Sequence, residues 1–156
     1  MCRRRPNETE PALDERVPAS LQELPVGRIL GSLTLQQAFE LDQRSDDLRS
    51  FLVARYRDEH ERYLDADGPL PPALVPDLAN QVLSRTVRLG PWIHTASETT
   101  HFGALRPFEL EARGRVVRSY RRKGHEIVEL DVGLYCGGDL RAHCRHRAII
   151  RPAAKD

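Results

Sequence analysis

Between Pro71 and Thr86 the chain reads PPALVPDLANQVLSRT, and this stretch restricts the possible folds more than any other. At 100° per residue, Leu74, Val75, Leu78, Ala79, Val82 and Leu83 fill one half of a helical wheel, and Asp77, Asn80, Gln81 and Ser84 fill the other. An apolar arc that wide predicts a helix enclosed on one side by something larger than a second helix. Pro76 fits only near the first turn, where the N–H that proline lacks would have no helical partner anyway, so the helix should start at about Ala73 or later. Leu89-Gly90-Pro91 ends it.

From Trp92 the hydrophobic period changes from near 3.6 to 2. Residues 93–102 (IHTASETTHF) alternate imperfectly and are rich in β-branched side chains. Residues 108–120 form a second strand whose parity slips at Val116-Val117, with a bulge expected near Gly114. In 125–135, Val128, Leu130, Val132 and Leu134 point one way. In 140–151, Leu140, Ala142, Cys144, His146, Ala148 and Ile150 share a face, and Arg141, His143, Arg145, Arg147 and Arg151 share the other. Lys123-Gly124 and Gly137-Gly138-Asp139 are tight turns, so the last three strands should form an antiparallel meander.

Upstream, residues 24–33 read as a short strand bent by Gly27 and Gly31. Thr34 and Gln37 have the spacing of a capping box before a short helix. Ser45 would cap a helix running towards Leu64, and DADGPLPP (residues 65–72) is a turn. Residues 1–20 are polar, charged and broken by Pro6, Pro11 and Pro18, which predicts a disordered tail; Arg3-Arg4-Arg5 belongs to it. The remaining 21–152 make one domain. Helices gathered on one side of an antiparallel sheet give an α+β class: a sheet curved around a long central helix.

With 156 residues, a single core is expected. The formal net charge of +1 argues against a nucleic-acid surface. Three cysteines, Cys2, Cys136 and Cys144, lack disulfide-framework spacing, which points to reduced thiols in a cytoplasm. The basic start MCRRRP is followed by no apolar stretch of signal-peptide type, and no apolar run is long enough to span a membrane.

The segment from Pro72 to Pro152 resembles, in local phrasing, the MaoC-like acyl dehydratases and related thioesterase-like proteins of the hotdog superfamily. The carrying stretches are GPWIHTASE (90–98), RKGHEIVELDV (122–132) and HRAIIRP (146–152), and PPALVPDLAN (71–80) is similar to the start of the hotdog helix. The resemblance implies a single hotdog domain that dimerises through its sheet, as a homodimer or with a second hotdog chain. It implies an acyl-thioester site at that interface, for acyl-CoA or an acyl carrier protein. Coenzyme A enters as part of the substrate, with no separate cofactor. Dehydration or hydration is the implied reaction; thioester hydrolysis, or a non-catalytic subunit partnering a catalytic chain, are the alternatives. A binding module without thioester preference is a third class. Hydratases of this family carry an Asp and, five residues later, a His before the central helix. Here Asp42, Asp46, Asp47 and Asp58 are followed at that spacing by Asp47, Phe51, Leu52 and Tyr63, so that pair does not carry over.

The candidate catalytic residues are His94, as base or carbonyl-orienting donor, and Glu98. Regular alternation puts residues 94, 96 and 98 on one face and His101 on the other, with His94 and Glu98 about 13 Å apart. Arg121, Arg122, Lys123 and His125 flank a glycine turn and form a candidate cradle for the phosphates of coenzyme A, against the plainer reading of a solvated hairpin. His146 and Cys144 lie on an apolar face and read as buried structural groups. No metal site is expected: His143 points away from Cys144 and His146, and no CxxC pair exists. Ser97 lacks the glycines of a nucleophile elbow. A site, if present, should lie where the central helix begins, beside the 92–98 strand. Helix N–H groups would polarise a thioester carbonyl there.

Overall fold

A computed structural model describes residues 15–39, 48–57, 60–65, 68–107 and 110–154. Arg3-Arg4-Arg5, Cys2, Asp42, Ser45, Asp46, Asp47, Asp58 and Phe108 fall outside the described residues. The elements run β1 (Leu33–Thr34), α1 (Leu35–Phe39), α2 (Leu48–Tyr56), α3 (Glu61–Leu64), α4 (Leu74–Thr86), β2 (Ile93–His101), β3 (Leu110–Arg122), β4 (His125–Cys136) and β5 (Asp139–Arg151).

Helix α4 starts at Leu74 with Ala73 as its N-cap, in line with a start at about Ala73 or later. All six residues of its apolar arc are buried. What encloses them is a five-stranded antiparallel sheet in the order β1-β3-β4-β5-β2, curved around the helix. Val128, Leu130, Val132 and Leu134 of β4, and Ala142, Cys144, His146, Ala148 and Ile150 of β5, face the helix and are buried. The helix meets β3 closely at Gly114. A Cβ there would lie 2.9 Å from Val82 Cγ1 and 3.2 Å from Leu30 Cδ1, so this position takes only glycine without movement.

The β3–β4 and β4–β5 turns are two-residue hairpins. Lys123 and Gly124 have φ of 49° and 77°, and Gly137 and Gly138 have 59° and 89°. Positive φ at both central positions gives a turn whose twist matches that of the strands it joins. The parity slip in β3 falls between Val116 and Arg118, two residues beyond Gly114, where the register against β4 shifts.

Three expectations need correction. The 24–33 strand is mostly irregular; only Leu33–Thr34 form a strand. The rest touches β3 through an isolated bridge between Ile29 and Arg115 and three bonds, Gly27 N–H to Val116 O, Val116 N–H to Arg28 O and Leu30 N–H to Gly114 O, because the chain turns at Gly27, whose φ is 88°. The helix expected to run to Leu64 is broken: Arg57 takes φ 53°, which ends α2, and α3 begins after His60, whose Nδ1 accepts from Arg62 N–H. Residues 15–20 are not tail. Ala19 is buried, its N–H donates to Arg88 O, and Arg88 N–H donates to Val17 O, so three residues are fastened to the exit of α4. The Thr34 capping box is reciprocal: Gln37 N–H donates to Thr34 Oγ1 at 3.2 Å and Thr34 N–H to Gln37 Oε1 at 2.9 Å.

Candidate functional site

β2 pairs with β5 along its whole length, but the register shifts between His94 and Ala96. Thr95 is the extra residue, and its Oγ1 donates to Arg147 O at 3.0 Å. A bulge of one residue reverses the alternation that follows. His94 lies opposite Ala148, Ser97 opposite His146, Thr99 opposite Cys144 and His101 opposite Ala142, all on the helix-facing side. Glu98 lies opposite Arg145, on the outer side, and is exposed. The shared face expected for 94, 96 and 98 is therefore wrong beyond residue 95. His101 has the parity of Ser97, although at the strand end it stays exposed.

The bulge assembles a group that regular alternation hides. His94 Nε2 lies 2.9 Å from Ser97 Oγ, and Ser97 Oγ lies 2.9 Å from His146 Nδ1. The two imidazoles stack with centroids 4.5 Å apart and planes inclined by 25°. His146 is fully buried, and burial, helped by the His94 ring, pushes its pKa down to about 4, so it is neutral at neutral pH. Burial pushes the Cys144 thiol up, against the smaller opposite pull of the Ser97 and Thr99 hydroxyls, which leaves it a protonated, inert thiol.

His94 is exposed and forms one wall of a cleft of about 400 Å³. The other wall is the first two turns of α4 (Ala73, Pro76, Asp77, Asn80) with Arg55 and Tyr56 from α2. Asp77 is saturated. It accepts from Arg55 Nε at 2.6 Å, from Arg55 Nη2 at 3.1 Å and from Tyr56 Oη at 2.7 Å. The hydrogen bond to Asp77 raises the Arg55 pKa, and burial, then Asp77, raises that of Tyr56. Arg55 thus stays charged and Tyr56 stays protonated. The sequence places Asp77 and Asn80 on the polar arc of the helix, with no sign of a site there. Arg55 and Tyr56 were missed because nothing in the sequence places α2 against α4.

The start of α4 does not offer the amides expected of it. Leu74 N–H donates to Pro71 O and Val75 N–H to Pro72 O, both at 3.1 Å, and Pro76 has no N–H. The 3₁₀-like entry uses the donors that a carbonyl would need.

The basic hairpin lies elsewhere. Arg121 donates to Glu126 Oε1 at 2.7 Å, and His125 Nδ1 accepts from Ala153 N–H at 2.9 Å, so both are tied into the fold. Arg122 and Lys123 are exposed. The turn packs on Ala153, which with Pro18, Arg88, Gly90, Ile150 and Arg151 lines a second groove of about 580 Å³. His125 stands two strands away from His94, about 10 Å across the sheet, so the two predicted sets do not share a cleft. Among the described residues, no three His, Cys, Asp or Glu side chains gather in a metal-holding group.

The architecture has close structural counterparts. A chain of the ChsH1-ChsH2 complex from Mycobacterium tuberculosis superposes with a TM-score of 0.61 at 12% identity, covering 81% of this chain and 98% of that one. The R-hydratase PhaJ1 from Pseudomonas aeruginosa gives 0.60 at 13% identity, covering 89% and 88%. The MaoC-like dehydratase from Rhodospirillum rubrum gives 0.59 at 15% identity, covering 86% and 98%. This chain has the hotdog fold. No family model matches the sequence, and no curated protein does. Identities this low carry the hotdog architecture and nothing about activity. They bear out the α+β reading of a curved antiparallel sheet around a central helix.

Proposed function

We propose that this hotdog chain binds an acyl thioester, carried on coenzyme A or an acyl carrier protein, in the cleft between α4 and β2. The observation that supports this most is the position of His94: an imidazole facing the helix start across an open cleft, where Arg55, Tyr56 and Asp77 are hydrogen-bonded to one another. Arg122 and Lys123, exposed at the hairpin, would meet the phosphates of coenzyme A, while Arg121 and His125 brace the hairpin. If the chain is catalytic, dehydration or hydration of the acyl group comes first and thioester hydrolysis second, with His94 as the acting residue. Titration of the purified protein with short, long and aryl coenzyme A thioesters should give micromolar binding. No binding across all three would overturn the reading.

A second reading rests on the missing Asp–His pair together with the edge of β2, which no strand pairs among the described residues and beside which Ile93 and Phe102 are exposed. On this reading the chain completes the sheet of a second hotdog chain and leaves the chemistry to it. One structural counterpart comes from a two-component complex, ChsH1-ChsH2. Co-purification of a second hotdog chain supports this arrangement; a stable homodimer active alone rejects it. Among the described residues, no helix is long and apolar enough to cross a membrane.

A further inference from the structure

Ser97 can donate only one hydrogen bond, and it touches two imidazole nitrogens, His94 Nε2 and His146 Nδ1, at 2.9 Å each. Three arrangements of the neutral group satisfy this count. In the first, Ser97 donates to a bare His146 Nδ1 and accepts from His94 Nε2–H. His146 must then carry its proton on Nε2. In the second, His146 Nδ1–H donates to Ser97, and Ser97 donates to a bare His94 Nε2. In the third, both rings donate N–H to Ser97 and its own proton is left to the Cys144 sulfur, a weak acceptor, so the choice lies between the first two.

The tie is broken at the far side of the His146 ring. His146 Nε2 is buried with no hydrogen-bond partner. The first arrangement buries an unpartnered N–H there, and the second buries only an unpartnered lone pair. Orphaned buried donors are rarer than under-used acceptors. We infer that His146 is a positioning residue that acts through Ser97 to hold His94 as a neutral imidazole with its proton on Nδ1. Nε2 of His94 is occupied by Ser97, so Nδ1–H is the group left for whatever enters the cleft.

This deepens the thioester reading, on which its use rests: His94 would act as a hydrogen-bond donor to the thioester carbonyl and not as the initial base. Preorganised donors of that kind stabilise charge developing on an oxygen. The surroundings agree. Across the cleft from His94 stand Arg55, Tyr56 and Asp77, whose hydrogen bonds to one another are complete, so none of them competes to set the tautomer. Stacking of two neutral rings also avoids placing a cation against buried His146.

The test is the tautomer of His94 in the ligand-free full chain, read at pH 7 from long-range ¹H–¹⁵N correlations of the imidazole nitrogens. Because no ligand is present, failure here is separate from failure of thioester binding. The wild type should report Nδ1–H at His94. Ser97→Ala, with its amide spectrum still dispersed, should shift His94 to the Nε2–H form favoured in water, and Ser97→Thr, which keeps the hydroxyl, should restore Nδ1–H. A wild-type His94 protonated on Nε2 or on both nitrogens overturns the inference, as does a tautomer that Ser97→Ala leaves unmoved.

Discussion

The rings of His94 and His146 stack 4.5 Å apart with the Ser97 hydroxyl bridging them, although regular alternation along β2 would leave Ser97 facing away from His94. The Thr95 bulge brings them together. The pair has a consequence for acid stability. Buried His146 has its pKa lowered from 6.5 to about 4. Above pH 6.5 it is neutral in both folded and unfolded chains and adds no pH dependence. As pH falls below 6.5 the unfolded chain takes up the proton and the native chain does not, so stability is lost, saturating once the pH passes about 4. The full loss is about 3 kcal/mol. Urea unfolding at pH 7, 5.5 and 4.5 should show it, and His146→Phe should flatten this part of the profile relative to wild type.

Glu98 and His94 should separate cleanly. His94 borders the cleft and Glu98 lies on the outer face, so His94→Ala should weaken coenzyme A thioester binding by about tenfold, the value of one good hydrogen bond to a ligand. Glu98→Gln should leave it within twofold. Calorimetric titration of both variants against one thioester decides this.

Tyr56 and Arg55 hold Asp77 from a different helix. Tyr56→Phe removes one of three hydrogen bonds and should cost about 1 kcal/mol; Asp77→Ala orphans both partners and should cost about 2 kcal/mol, discounted because Arg55 is 40% exposed. Denaturant midpoints at unchanged slope give both numbers.

The contact at Gly114 tests the packing of the helix against β3. Gly114→Ala puts a Cβ 2.9 Å from Val82 Cγ1 and should destabilise by about 1–3 kcal/mol through overpacking. A thermal melt checks it. Val82→Ala in the same chain should recover part of the loss, because it clears the clashing methyl.

At the hairpin, Arg122 and Lys123 are exposed while Arg121 is paired with Glu126. The double variant Arg122→Ala, Lys123→Ala should weaken binding of a coenzyme A thioester by about threefold to tenfold at low salt, and leave the matching pantetheine thioester, which lacks the nucleotide, unchanged. Titrations of both ligands against both proteins provide the comparison.

The chain's own pattern determined the helix and the meander. Six apolar residues on one half of α4 can be hidden only by a surface that bends round them, and three period-2 runs joined by glycine turns can only be an antiparallel sheet. Burial is nearly all-or-none at such positions, so the pattern is readable without coordinates. The candidate site was legible only in part. His94 stood out as an ionisable side chain on the first strand after the helix. Its neighbours did not, because a single inserted residue, Thr95, decides which side chains share its face, and nothing local distinguishes that bulge from imperfect alternation. Only the tertiary structure chose Ser97 over Glu98, made His146 a partner of His94, and closed Asp77 against Arg55 and Tyr56 from 21 and 22 residues away. Those contacts depend on register and on the packing of separate elements, and a one-dimensional period carries no information about either.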